Sequence, residues 1–296
     1  MNFHSAWIDD AGAGGTAGAA TGLFPWWSFT KTALAIAALR LVEEGSLRLD
    51  DSRPGKPFTL RHLLTHRAGL PDYGCVDPYH QAVSRGEDAW DREHLLIAAG
   101  ADRLLFEPGT GWTYSNIGYL FVREAIEAGS GLPLAQALRK LVLDPIGLAG
   151  TRLAADRMDF QEIFWPFLRS YDPRWVYHGC LIGPPADAAR LLNSLFHGAL
   201  LAPGTVAAMY ERFTPLGDAP SGRLGTEVGY GMGLMVGRMG TVGRAFGHTG
   251  SGPGSSNAVC HFPDLRPAIT VAVFAAGDDS GAAEHEAISI ALNAAR

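Results

Sequence analysis

From Thr30 onward the apolar positions Leu34, Ala37, Ala38 and Leu41 repeat with a 3.6-residue period, which predicts a helix running to a C-cap at Gly45. "SLRLDD" then leads out through Pro54 and Pro57. "FTLRHLLTHRAGLPDY" (58–73) predicts a short helix stopped by Gly69 and Pro71. Helical patterning returns at 91–104, at 116–128 and over "PLAQALRKLVLDPIGL" (133–148), where it ends before Pro145. After about residue 180 the pattern changes. "PADAARLLNSLFHGALL" and "TVAAMYERF" read as helices, and "GYGMGLMVGRMG", "AFGHTGSGPGSSNAVCHFPD" and "RPAITVAVFAAGD" as short strands divided by Gly and Asp turns. "AAEHEAISIALNAAR" closes as an amphipathic helix, and "AGAGGTAGAATG" (11–22) reads as a loop or weak hairpin. No internal repeat is visible. A β-containing start and end around a helical middle predict an α/β fold with an all-helical insertion, divided as 1–52 plus 185–296 and 53–184.

The chain of 296 residues can bury one large core or two smaller ones, and 47% hydrophobic against 18% charged residues is the balance of a compact enzyme. Its 24 basic and 30 acidic residues are scattered, with no basic stripe for phosphates, which argues against a nucleic-acid partner. No run approaches the roughly 18 apolar residues of a membrane helix. "MNFHSAWIDDAGAGG" has neither a basic n-region nor an apolar h-region, so a cytoplasmic protein is expected. Cys75, Cys180 and Cys260 are odd in number and far apart, which favours free thiols.

Three short motifs carry chemistry. Ser28 and Lys31, three apart, share a helix face at its N-terminus, where unpaired N–H groups and the dipole favour developing negative charge. A desolvated amine there can accept a serine proton; a capping serine with a snorkelling lysine gives the same pattern. Tyr114-Ser115-Asn116 stands in a Gly-rich turn ahead of a helix. Asn116 fits an N-cap and Tyr114 a core aromatic, or Tyr114, next to the lysine cation, loses its proton easily and acts as general base while Asn116 orients Lys31 and a substrate carbonyl. His248-Thr249-Gly250 opens a strand-like run whose glycines let a substrate lie close, unless it is a plain hairpin with a surface histidine. Other strings carry less. Gly12-x-Gly14-x-x-Ala17 lacks a preceding buried strand for a dinucleotide site, and His62 and His66 have zinc-ligand spacing without the glutamate or third ligand.

The order Ser-x-x-Lys, Tyr-x-Asn, His-Thr-Gly resembles the serine β-lactamase and penicillin-binding-protein superfamily. The similarity is closest to the class C β-lactamase-like branch with family VIII carboxylesterases and D-aminopeptidases. "LRHLLTHRAGLPDY", "FEPGTGWTYSNIGYLFVREAIEAGSGLPLAQALRKLVLDPIGL" and "FGHTGSGPG" extend it over roughly residues 24–277. The resemblance implies an antiparallel sheet flanked by helices, with the active site in a cleft between the two parts. It also implies a Ser28 acyl-enzyme formed with Lys31, Tyr114 and His248, an oxyanion hole from the N–H groups of Ser28 and Ser251, and Asn116, Thr249 and Gly250 against the substrate. No metal or organic cofactor is implied. Only 27 residues precede Ser28, so the first strands are expected to be shortened. "GCLIGPPADAARL" stands where the family tends to show Gly-Gly and Ser-Thr-x-x-Asp, and Cys180 there reads as a buried small apolar residue. No G-x-S-x-G elbow points to an α/β-hydrolase.

Enzymes of this type acting on penicillins usually carry Lys where His248 stands; a histidine, with a pKa near 6.5, attracts a substrate carboxylate less. That favours a carboxylesterase acting on a small ester, with a class C-like β-lactamase or a D-amino-acid amidase or peptidase as alternatives, and a catalytically silent small-molecule binder as a different class. "FPWW", Trp112, "FWPF" and "RWVYHG" with Tyr177 supply aromatics for an acyl pocket, although core packing accounts for most tryptophans.

Overall fold

The computed structural model describes residues 2–52, 55–211, 213–217 and 225–296. Its strands are β1 (Phe3–Asp9), β2 (Gly14–Ala17), β3 (Phe24–Pro25), β4 (Arg152–Leu153), β5 (Leu181–Gly183) and β6 (Thr214–Gly217). They continue with β7 (Gly225–Tyr230), β8 (Met235–Met239), β9 (Arg244–Gly252), β10 (Ser255–Phe262) and β11 (Ile269–Ala276). Eight of them form one antiparallel sheet in the order β2-β1-β11-β10-β9-β8-β7-β6, and β3-β5-β4 form a small second sheet. The helices are α1 (Thr30–Glu43), α2 (Leu60–Leu64), α3 (Asp77–Ser84), α4 (Arg92–Ala98) and α5 (Asn116–Ser130). After them come α6 (Leu134–Leu138), α7 (Arg157–Gln161), α8 (Pro185–Phe196), α9 (Pro203–Glu211) and α10 (Ser280–Ala294).

The central strands explain their own sequences. β10 and β11 are covered on both faces, so "SSNAVCHF" and "ITVAVFAA" lack the clean alternation of a half-exposed strand. Val271 and Val273 pack with Ala283, Ala287 and Ala291 of α10, whereas Ala272 and Phe274 face the core shared with α8. α1 is buried all round from Ala33 to Leu39, because α5 and α6 pack on it as well as the turns of the sheet. Its small residues let neighbours approach: Thr32 Oγ1 donates to the Gly233 carbonyl at 2.8 Å, and a Cβ at Gly233 would come within 2.3 Å of Ala35 Cβ.

Several expectations need correction. The first strands are not shortened: β1 has seven residues and lies inside the sheet, paired from Phe3↔Ala275 to Asp9↔Ile269. It escaped notice because its polar members His4, Ser5 and Asp9 are buried. Of the two readings of residues 11–22, the hairpin holds: they supply β2, which pairs with β1 and contains Gly14. The 91–104 pattern yields helix only to Ala98, ahead of a left-handed Gly100. The 133–148 pattern divides into α6, a π turn at Arg139–Leu143 and a 3-10 turn at Asp144–Ile146. Pro54 of the lead-out and Arg212 of "TVAAMYERF" lie outside the described residues. No helix among the described residues is long and apolar enough to cross a membrane.

Candidate active site

Ser28 lies in a 3-10 turn, Trp27–Phe29, immediately before α1. It is not a cap: Phe29 flanks the helix, and no side chain there accepts a capping bond. The turn is fastened to strands instead. Trp26 N–H donates to the Leu181 carbonyl at 2.8 Å, Trp27 Nε1 to Ser255 Oγ at 2.9 Å, and Asn257 Nδ2 to the Pro25 and Trp26 carbonyls at 3.3 and 3.1 Å. Trp27 has φ +42°, a left-handed conformation that a bulky residue adopts only when its surroundings impose it. The glycines of β9 allow this approach: a Cβ at Gly250 would lie 2.9 Å from Trp27 Cβ, and one at Gly252 2.5 Å from the indole. β8 accompanies β9 only over Arg244–Gly247, and β9 packs against the Ser28 turn.

One turn into α1, Lys31 Nζ stands 2.9 Å from Ser28 Oγ, 2.7 Å from Asn116 Oδ1 and 3.2 Å from His178 Nε2. The side chain is wholly buried. Burial pulls its pKa from 10.5 down to about 7, against a smaller upward pull from Asp72, so a neutral amine is accessible near neutral pH. Asp72 in turn accepts from Asn116 N at 2.9 Å and from its Nδ2 at 3.2 Å, which turns the amide oxygen toward Lys31. The cap of α5 is Ser115, whose Oγ accepts from Gly118 N at 3.0 Å; Asn116 is the first helical residue, not the cap.

Tyr114 Oη donates to Ser28 Oγ at 3.0 Å. Its pKa moves the opposite way from the sequence expectation: burial raises it well above the usual phenol range, with a smaller opposing effect from the Ser28 bond. Lys31 Nζ, 5.0 Å from the ring centroid, does not compensate for that burial. The raised pKa keeps the Tyr114 hydroxyl protonated as a donor to Ser28 Oγ, beside a Lys31 amine whose pKa is lowered. Beneath Tyr114 lies His66, ring centroids 4.3 Å apart, whose Nδ1 accepts from Ser115 N at 3.1 Å. His62 closes the capping box of α2 with Thr59. The two histidines thus have separate structural uses.

The cavity at Ser28 measures about 420 Å³ and brings in Asn116, His178 and Ser251 beside Trp27, Tyr73 and Tyr171. His248 is buried, not a surface residue; its Nε2 lies 2.9 Å from Tyr230 Oη and its Nδ1 bonds the Thr249 carbonyl. His248, Thr249, Trp112 and Tyr114 border a separate apolar cavity of about 370 Å³. Thr249 Oγ1 donates to Met235 Sδ at 3.6 Å. Tyr177 lines neither cavity and donates to the Trp90 carbonyl at 3.0 Å, a packing role. Cys180 is fully buried, its thiol pushed up to about 12 by desolvation. The sequence reading missed Asp72, His178 and Tyr230. "LPDY" and "YHG" lie in quoted segments, but nothing in their spacing marks them.

The beta-lactamase family model matches residues 6–295. The chain belongs to the beta-lactamase family. Within this family it is 27% identical over 283 residues to penicillin-binding protein 4* of Bacillus subtilis (strain 168), covering 83% of this chain and 59% of that protein. It is 35% identical over 146 residues to esterase EstB of Burkholderia gladioli, covering 43% and 37% respectively. The match thus spans less than two thirds of either relative's length. Among solved structures, the D-amino acid amidase from Ochrobactrum anthropi SV3 superposes with a TM-score of 0.81 at 21% identity, over 99% of this chain and 95% of that one. The structural match shows the fold, and the sequence relatives include proteins named as an esterase and a penicillin-binding protein.

Proposed function

We propose that the protein is a serine hydrolase that cleaves a small ester or amide through an acyl-enzyme on Ser28. The observation that supports this most is the double contact on Ser28 Oγ, from the buried amine of Lys31 and from the hydroxyl of Tyr114. In the first step Oγ attacks the substrate carbonyl carbon while neutral Lys31 takes the hydroxyl proton. The N–H groups of Ser28 and Ser251 receive the oxyanion. Collapse expels the alcohol or amine, which leaves with a proton handed over by Tyr114 and replenished from Lys31. Water, activated by the same pair, then attacks the acyl carbonyl and frees Ser28. Each cycle returns both groups to their starting protonation.

A carboxylesterase is the favoured activity within this class. No lysine or arginine is found among the described residues lining the Ser28 cavity, and position 248 carries a histidine engaged with Tyr230, so a substrate carboxylate meets no fixed cation there. Aromatic walls suit a neutral acyl group. A role in binding alone would have no use for an amine desolvated beside a hydroxyl. The test has two arms. A fluorophosphonate probe should add to wild type at Ser28 and not to Ser28→Ala, read by peptide mass. A panel of p-nitrophenyl esters, nitrocefin and D-amino-acid anilides should give its highest kcat/KM with an ester. An unlabelled wild type would refute the serine mechanism, and a higher value for nitrocefin or an anilide would refute the esterase assignment.

A further inference from the structure

Lys31 has a polar neighbour that the steps above leave unused. His178 Nε2 lies 3.2 Å from Nζ, and the ring is 2% exposed at the wall of the Ser28 cavity. Its backbone is pinned on both sides. Arg123 Nη1 donates to the Tyr177 carbonyl at 3.2 Å, Gly179 N to the Val176 carbonyl at 2.7 Å, and Leu181 N to Thr30 Oγ1 at 3.0 Å. Gly179 has φ +97°, and a Cβ there would come within 2.9 Å of Leu153 Cδ1. The ring edge rests on Tyr119, with centroids 6.5 Å apart.

A neutral primary amine has two N–H bonds and one lone pair. Lys31 Nζ has three polar neighbours: Ser28 Oγ, Asn116 Oδ1 and His178 Nε2. Asn116 Oδ1 accepts one N–H, because the amide nitrogen of Asn116 is engaged by Asp72. The direction of the lone pair then depends on the third neighbour. We propose that His178 is a positioning residue: protonated on Nδ1, it accepts the second Lys31 N–H at Nε2 and so leaves the amine lone pair for the Ser28 hydroxyl. Without that acceptor, rotation about Cε–Nζ is free to point the lone pair elsewhere. The inference rests on Lys31 acting as the base.

The charged and titratable groups around His178 agree with an uncharged ring. Lys31 faces it from α1, Arg123 and Tyr119 from α5, His248 from β9, with His66 nearby and Asp72 acting through Lys31. Burial first, then Lys31 and the other cationic neighbours, holds the imidazole well below 6.5. A ring serving only to fill space would be replaceable by phenylalanine.

The experiment compares wild type, His178→Phe and His178→Gln, all as full chains. It follows the pH dependence of Ser28 inactivation by a neutral fluorophosphonate, and the tautomer of His178 in wild type by 15N NMR, assigned from the signal lost in the Gln variant. Phenylalanine removes an acceptor that favours the ammonium. The acid limb should therefore move to lower pH by about half a unit or more, and the plateau rate should fall roughly ten- to hundredfold. Glutamine restores an acceptor and should recover both to within about threefold of wild type. The wild-type ring should remain Nδ1–H with a lone pair on Nε2 from pH 5.5 to 9. A Phe variant within about twofold of wild type and with an unshifted limb overturns the proposal, as does an Nε2–H tautomer or an imidazolium in that range. The NMR arm decides even if the Phe variant fails to fold. Absence of labelling in wild type would instead remove the Ser28 reading itself, whatever the tautomer.

Discussion

Replacing Lys31 with methionine should abolish acylation and make the stability difference from wild type depend steeply on pH. Lys31 titrates at about 7 in the folded protein against 10.5 when unperturbed. Because the folded pKa is depressed, the unfolded state binds the proton more tightly, and wild-type stability rises with pH between those two values. Below about 7 the burial penalty is fully present, at roughly 5 kcal/mol for that displacement; above 10.5 it is gone. Methionine carries no such term and fits a similar volume, but it leaves Asn116 Oδ1 and His178 Nε2 without their donor, at about 1–3 kcal/mol each. The two effects nearly offset at pH 6, where the variant should be about as stable as wild type. At pH 10 the variant should be clearly less stable, since only the lost bonds remain. The swing in the stability difference should be about 4 kcal/mol between pH 6 and 10. Urea denaturation of both proteins at unit intervals of pH measures it, and charges common to both cancel. A difference constant to within about 1 kcal/mol would show that Lys31 is not held near neutrality by burial, and the assignment of the base would lose its physical ground.

Three further outcomes follow from the same geometry. Ser28→Ala should lose turnover yet shift stability by less than the roughly 0.5–2 kcal/mol of a lost helix cap, because Ser28 caps nothing; calorimetry beside an esterase assay checks this. For a neutral ester, kcat/KM should rise through pH about 7 and then level as Lys31 deprotonates, and Tyr114→Phe should lower the plateau about 10²- to 10⁴-fold without moving that limb, as read from pH–rate profiles. His248→Lys should improve carboxylate-bearing β-lactams relative to short neutral esters by about ten- to hundredfold, the worth of one charge-assisted hydrogen bond; an unchanged ratio across pH 6–9 would remove the charge argument for an esterase.

What the sequence revealed depended on how local each signal was. Ser28 and Lys31 meet because three residues make nearly one helical turn, so their contact was readable from spacing alone. Tyr114 and Ser251 arrive from distant segments, and only the order of motifs pointed to them. The direction of the Tyr114 shift was misjudged because a nearby cation is suggested by sequence whereas complete burial is a property of the fold. Trp112 and Tyr177 show the same gap: an aromatic residue near a motif carries no information about which cavity it faces. Asp72 and His178 were invisible, since each acts through one side chain placed by a loop. β1 was missed for a different reason, its polar residues being covered by neighbours that lie far along the chain.

That interior strand has a consequence for the order of assembly. Phe3 pairs with Ala275, roughly 270 residues later, and β2 holds only the other edge of β1. At ribosomal rates of about 5–20 residues per second, β1 waits on the order of 15–50 s for its permanent partner. The wall that anchors the Ser28 turn, β9 and β10, also emerges late, so that turn cannot be fixed before residues 244–262 have been made. Such long-range pairing makes folding slow, and it leaves the Ser28 turn without its strand supports until β9 and β10 have been made.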